Sequence, residues 1–277
     1  MEQSYQYTVI GASGFLGRSV VTEIEARKLS VLRWARGTVI PKASNLGVII
    51  YCAGRAGNFL DDPYDTVDGH VGLLSSLLSG YKYERLIYVS STRVYRNAGY
   101  TNEDSPIVIR PAEKESLYDI VKLLGENLTI SNTSGRGVVA RVSTILDPDF
   151  KSQSMLRTIY EHASEGVALN MRTSSEAARD IVAVDDVVSG LLLLAEGKAK
   201  HTIYNIAGGK LISNEALLNV FSKYYNINVT YNDEIRPNNI PVSNSRMVSE
   251  FGWVPKDCAL LIQLILERKQ RETNYRY

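Results

Sequence analysis

The sequence predicts an α/β protein built on a doubly wound parallel sheet, and three observations carry that prediction. A β-prone run, Thr8-Val9-Ile10, breaks into glycines spaced G-x-x-G-x-x-G at Gly11, Gly14 and Gly17. Short apolar runs recur along the chain, and amphipathic stretches separate them. Strands of a parallel sheet are covered on both faces and read as unbroken apolar runs, and each crossover between them needs a helix.

The first turn sets the pattern. Phe15, Leu16, Val20, Val21 and Ile24 follow the glycines at helical spacing, so strand, tight turn and helix succeed one another. The first amides of such a helix have no intrahelical partner and can hold a pyrophosphate. Gly11, Ser13, Gly14, Phe15, Leu16 and Gly17 are therefore the expected dinucleotide-binding residues. Val31 to Ala35 reads as the second strand and ends at Arg36. An acid at this end suits a ribose hydroxyl and a cation suits a 2′-phosphate; with Arg33 and Arg36 there and no acid, NADP is the expected cofactor and NAD the alternative. Gly37 to Gly47 is too short for a further helix and strand, so the first half of the sheet is expected to be abridged. Val48 to Cys52 is the third strand, and Ala53-Gly54 makes a second glycine-bearing loop on the same rim.

Further along, Asp62 to Ser79 reads as a helix, Arg85 to Val89 as a strand ending in Ser90-Ser91-Thr92, Glu113 to Ile130 as a strong helix and Val138 to Val142 as a strand. Past Asp147-Pro148 the expectation is a helix at Ser154 to Ser164, strands at Val167 to Leu169 and Asp180 to Val184, and a helix Val187 to Ala195 capped by Asp185 and Asp186. A strand at Ile203 to Ile206, a helix from Ser213 to Tyr224, a small strand at Val229 to Tyr231, a loop from Arg236-Pro237 and a helix from Asp257 to Lys269 complete the chain. The expected organisation is a dinucleotide-binding domain over 1–145 and a smaller substrate-binding part over 146–277 that shares elements with it.

Composition narrows the function. Lys plus Arg at 31 against Asp plus Glu at 30 leaves a formal charge of +1, which supplies neither an electrostatic nucleic-acid footprint nor a polybasic membrane anchor. A polar start and apolar runs as short as Leu191 to Ala195 point to a soluble, cytoplasmic protein. Cys52 and Cys258 are the only cysteines and the three histidines are scattered, so no metal site is expected.

Chemistry concentrates at Tyr118-Asp119-Ile120-Val121-Lys122. Residues four apart share a helix face, so phenol and ammonium emerge together. An adjacent ammonium favours phenolate, and bringing a tyrosine pKa from about 10 to about 7 takes roughly 4 kcal/mol. Tyr118 is thus a candidate general acid or base, with Ser91 polarising the same substrate oxygen and Lys122 free to hold ribose hydroxyls.

Gly11 to Gly17, Tyr51 to Gly54, Val89-Ser90-Ser91 with Val94-Tyr95, Tyr118 to Lys122 with Gly125-Glu126, Arg179-Asp180 with Val184 to Val187, and Gly252-Trp253 with Pro255 follow the order seen in extended short-chain dehydrogenases/reductases. The chain resembles this NAD-dependent epimerase/dehydratase family of nucleotide-sugar enzymes over nearly its whole length. The resemblance implies a Rossmann-type sheet, Tyr118 as proton-transfer residue, Lys122 as its partner on the cofactor and Ser91 as the catalytic hydroxyl. It also places Thr92, Arg179 and Arg236 at the substrate, Ala53 and Gly54 at the cofactor, and the helices Asp62 to Ser79 and Glu113 to Ile130 in a homodimer interface. Family dehydratases carry an acid pair where this chain has Thr92-Arg93, so dehydration is discounted; a family asparagine is missing, with His70 near its place. Reduction of a 4-keto nucleotide sugar is the first reading and epimerisation with bound NAD the second. A non-catalytic NADP-binding regulator is the third.

Overall fold

The structure, a computed structural model, describes residues 4–40, 44–232 and 239–274. The chain runs β1 (Tyr7–Ile10), α1 (Phe15–Ala26), β2 (Val31–Trp34) and β3 (Val48–Tyr51), then α2 (Pro63–Val67), a π-helical turn (Asp68–Gly72) and α3 (Leu73–Gly80). Next come β4 (Arg85–Ser91), a 3-10 turn (Thr92–Tyr95), α4 (Ser116–Ser131), β5 (Gly137–Val142), β6 (Thr144–Leu146), α5 (Met155–Glu165), β7 (Leu169–Met171) and β8 (Ala178–Ala183). The remainder is α6 (Val184–Ala195), β9 (Ile203–Ile206), β10 (Leu211–Ser213), α7 (Asn214–Ser222), β11 (Val229–Tyr231), α8 (Ser245–Phe251) and α9 (Cys258–Asn274).

Six parallel strands in the order β2-β1-β3-β4-β5-β9 form the main sheet. Successive residues of one strand point to opposite faces, and both faces are buried: Ile50 and Ile87 join α1 and α6, while Ile49 and Leu86 join α3. This is why the strands read as unbroken apolar runs. β2 stands at the edge, and the described residues between it and β3 add no strand to the sheet. A second core lies between α5, α7, α9 and the small strands β6, β7 and β8. From that half of the chain β9 enters the main sheet beside β5.

Local chemistry sets most boundaries. Ser154 and Ser213 cap α5 and α7 by accepting from Arg157 N and Ala216 N, and Asp62 caps α2 ahead of Pro63. The expected cap by Asp185 and Asp186 is corrected: α6 starts at Val184, and both acids lie in its first turn. The Asp186 carboxylate instead accepts from Lys256 N at 2.7 Å, a contact made with a segment 70 residues away. α8 falls where a loop was expected, because a short helix that buries only Met247 leaves no apolar periodicity to read. Among the described residues, no helix is long and apolar enough to cross a membrane.

Across the sheet from α1, helix α4 is fastened to the strands by a buried ion pair. Glu126 and Arg141 are 5% and 4% exposed in their side chains and meet at 2.7 Å. Glu126 also accepts from Ser90 at 2.5 Å. Breaking one member of a buried pair costs about 3–5 kcal/mol, whereas replacing both by apolar groups can be neutral. Denaturant unfolding of Arg141→Met is therefore expected to show a loss of that size, largely recovered in the double variant Glu126→Leu/Arg141→Met.

Candidate active site

The glycine turn closes by backbone contact. Gly11 has φ +80°, and a Cβ there would lie 2.8 Å from Ala53 N; a Cβ on Gly17 would lie 2.2 Å from the Gly11 carbonyl oxygen. Only glycine permits β1, α1 and the Ala53 loop to approach so closely. α1 then begins at Phe15 with Gly14 as its N-cap and no side-chain cap. Its uncapped N-terminus opens onto a cleft of about 790 Å³ lined by Gly14, Phe15, Leu16 and Gly17 on one side and by Ala53 and Gly54 on the other. Gly11 lies beneath this loop, and Ser13 is exposed at its crown. Peptide amides at an open helix start and a surface cleared of Cβ atoms fit the pyrophosphate of a dinucleotide.

The opposite wall comes from the ends of β4 and β8 and from α4, whose residues Ser91, Thr92, Tyr118, Lys122 and Arg179 all line the same cleft. Ser91 Oγ accepts from Arg93 N at 3.2 Å and thereby starts the 3-10 turn; its hydroxyl also favours the ionised form of Tyr118. Lys122 Nζ donates to the Val89 carbonyl oxygen at 2.7 Å and lies 5.7 Å from the Tyr118 ring centroid. Burial pushes the Tyr118 phenol up to about 12 and the Lys122 ammonium down to about 8.

These positions correct one expectation. Lys122 does not pull the Tyr118 pKa down here, because its ammonium is held at the end of β4. The cation whose charge favours the phenolate is Arg93, whose guanidinium carbon lies 5.6 Å from the Tyr118 ring centroid and 4.9 Å from that of Phe59. Arg93 is braced by Glu115 at 2.8 Å and lies 3.6 Å from Asp119, which also holds Arg96 at 2.8 Å. Sequence reasoning missed Phe59, whose ring centroid is 5.2 Å from that of Tyr118. It also missed Arg93 as part of the wall; an arginine directly after Ser91-Thr92 was the available signal.

Arg179 faces the cleft from β8. Its side chain is half-buried; among the described residues its buried Nε has no hydrogen-bond partner, and Nη2 reaches the neutral Asn214 at 3.4 Å. The adjacent Asp180 gives it no charge partner, since both carboxylate oxygens accept from Gly208 N and Gly209 N. A half-buried guanidinium that meets no counter-charge among the described residues is completed by an anion. Arg36 is placed differently from its expected role: its side chain is 83% exposed and bonds Asp65 at 3.0 Å, while Arg55 takes the other Asp65 oxygen at 2.6 Å. Arg33 is paired with Glu25. Arg236 lies outside the described residues.

The Lys122 shift carries a pH dependence. An ammonium whose folded pKa is depressed from 10.5 to about 8 costs stability below pH 8, and that cost disappears as pH rises to 10.5. Relative to Lys122→Met, the protein is expected to gain about 3 kcal/mol across that window, measurable as the pH dependence of the difference in unfolding free energy.

A protein-family model, the NAD dependent epimerase/dehydratase family, matches residues 7–207. Comparison with curated proteins gives no match. Among solved structures, the chain is similar to UDP-glucose 4-epimerase from Thermotoga maritima with UDP-glucose, at 18% identity and TM-score 0.78, over 96% of this chain and 99% of that one. It is also similar to UDP-glucuronic acid 4-epimerase from Bacillus cereus with UDP-glucuronic acid and NAD, at 17% identity and TM-score 0.77, over 98% and 99%. RMD from Pseudomonas aeruginosa with NADPH gives 20% identity and TM-score 0.72, over 96% and 98%. At these identities the structural likeness establishes the fold alone. The family match spans most of the chain and falls on the glycine turn, the Ser91 strand end and the Tyr118 helix: the chain belongs to the NAD dependent epimerase/dehydratase family.

Proposed function

We propose that this chain is an NAD-dependent enzyme acting on a nucleotide-activated sugar, and that its reaction is epimerisation at C4. The observation that carries the proposal is the convergence on one cleft of the uncapped glycine turn, of Ser91 with Tyr118, and of Arg179, which has no charged partner among the described residues. In this reading the loop Gly14 to Gly17, with Ala53 and Gly54, holds the dinucleotide. Arg179 takes the diphosphate of the substrate, where a bidentate guanidinium suits two anionic oxygens, and Thr92 borders the sugar. Tyr118 removes the proton of the sugar hydroxyl and later returns it, while Ser91 donates to the same oxygen. A phenol with a pKa of about 12 is a poor base at neutral pH, so Ser91 and Arg93 are needed to favour its ionised form. Lys122, at about 8, supplies hydrogen-bond donors for ribose hydroxyls. The chemistry that NAD would supply when bound is reversible hydride transfer at C4.

Epimerisation is preferred over 4-keto reduction because Arg36, the residue expected to take a 2′-phosphate, is engaged by Asp65; NAD rather than NADP then leads. Two of the similar structures are 4-epimerases, one of them with NAD. The reductase reading retains one support, the NADPH in the Pseudomonas RMD structure. A homodimer belongs to the same proposal, formed over the exposed apolar residues Val67 on α2 and Ile120 and Leu124 on α4.

Incubation with NAD and UDP-glucose or UDP-glucuronic acid is expected to yield the C4 epimer without net formation of reduced cofactor. Stoichiometric oxidation of NADPH by a 4-keto sugar nucleotide, without epimerisation, would overturn this in favour of reduction. In the same assay Tyr118→Phe is expected to lower kcat about 10³-fold. Arg179→Met should raise KM about 10- to 100-fold with little change in kcat, as expected for loss of a charged hydrogen bond used equally by ground and transition states. Light scattering at micromolar concentration is expected to give a dimer mass, and Leu124→Glu a monomer mass.

A further inference from the structure

Charge is distributed unevenly around the cleft. Among the described residues that line it, Arg55, Arg93, Arg96, Lys122 and Arg179 face a single acid, Asp180. Both oxygens of that acid accept from Gly208 N and Gly209 N. Three of the cations already have a place. Arg55 is tied to Asp65 on the dinucleotide side, and the proposed function gives Lys122 to the cofactor ribose and Arg179 to the substrate diphosphate. Arg93 and Arg96 are left over, on and directly after the 3-10 turn that follows Ser91.

These two guanidiniums share one buried carboxylate. Asp119, with its side chain 1% exposed, lies 3.6 Å from Arg93 and 2.8 Å from Arg96. Their other acids, Glu115 on Arg93 and Glu113 on Arg96, have side chains 55% and 40% exposed, and ion pairs open to water attract weakly. The wall therefore carries more positive charge than its own carboxylates balance. Arg93 gives Nη2 to Glu115 and turns Nε toward Asp119, while Nη1 has no hydrogen-bond partner among the described residues. Unlike the Arg179 Nε, this nitrogen is not among the buried orphaned atoms, so a donor stays accessible on a side chain that lines the cleft. Its position fixes what it can meet. Arg93 N donates to Ser91 Oγ at 3.2 Å, and the guanidinium carbon lies 5.6 Å from the Tyr118 ring centroid. The charge thus stands beside the two hydroxyls placed on the C4 oxygen of the sugar. On a hexopyranose C5, the neighbour of C4, bears the C6 group, and oxidation of that group makes it a carboxylate. A guanidinium donor suits a carboxylate oxygen at short range.

We propose that the site prefers a nucleotide-activated uronic acid to a neutral hexose, and that Arg93 is the specificity-determining residue that receives the C6 carboxylate. The proposal rests on the reading of the cleft as a nucleotide-sugar C4 site. Its distinguishing content is a charge preference carried by one arginine, two residues after Ser91.

Epimerisation by the full chain with NAD, measured on UDP-glucuronic acid and on UDP-glucose, tests it. The expected kcat/KM is about 10- to 100-fold higher for the uronic acid, the size of one charged hydrogen bond. Arg93→Met is expected to bring that ratio close to one. Loss of the charge beside Tyr118 slows both substrates alike and cancels in the ratio. Arg93→Lys, which keeps the charge but not the planar fork, should retain part of the preference. Calorimetry on Tyr118→Phe, which binds either sugar nucleotide without turning it over, is expected to show tighter binding of the uronic acid, and the further change Arg93→Met should abolish the difference. A ratio near one in the parent protein, or a preference that Arg93→Met leaves unchanged, overturns the role of Arg93 alone. Epimerisation of neither sugar overturns this role together with the functional reading beneath it.

Discussion

The site depends on the carboxylate of Glu126. It accepts from Arg141 Nε and Nη2 at 2.9 and 2.7 Å and from Ser90 at 2.5 Å, so one buried anion joins α4 to β4 and β5. Arg141 also donates to the Tyr95 hydroxyl, which donates to Asn205 on β9. Asn205 in turn donates to the carbonyls of Thr101 and Ser243. A buried ion pair tolerates little displacement, because each misplaced polar group loses its partner in a medium of low dielectric. The register of α4 against the sheet is therefore set at Glu126. Lys122 lies four residues before it and Tyr118 four residues before that, on the same helix face, and both inherit their positions over the ends of the strands. Gly125 completes the contact: a Cβ there would lie 2.2 Å from the Tyr88 hydroxyl.

Against this rigid frame, the site holds groups in states that cost stability. Lys122 is buried with a carbonyl as its hydrogen-bond partner, Arg179 is half-buried with no charged partner among the described residues, and Tyr118 is held in its un-ionised form by burial. Preorganised charges and dipoles act most strongly where water is excluded, and the same exclusion makes them expensive in the absence of a ligand. Asp119 offsets part of the cost by sitting between Arg93 and Arg96, which ties the 3-10 turn to α4 and keeps the Arg93 guanidinium over the Tyr118 ring.

Much of the dinucleotide end was legible in the amino-acid order. The glycine spacing, the apolar runs and the capping serines act within a few residues of themselves, and the resulting strand, turn and helix appear where their chemistry places them. The placement of Ser91, Tyr118 and Lys122 on one cleft was legible too, since alternating strands and helices bring strand ends to one rim. What each charge pairs with was not. Arg36 meets an acid 29 residues away, and Lys122 meets a carbonyl 33 residues away; neither partner has any pattern in the chain that announces it.

By itself, then, the sequence determined the parallel α/β fold, the glycine turn and the set of residues at the rim, because those follow from local periodicity, backbone freedom and strand order. Only the tertiary structure decided that Arg93 rather than Lys122 lends its charge to Tyr118 and that Arg36 is spoken for by Asp65. It also decided that Arg179 has no charged partner among the described residues and that His70 is buried with its ring against Gly54. Protonation and pairing depend on burial and on distances of a few ångströms between groups remote in the chain, and those exist only once the chain has folded.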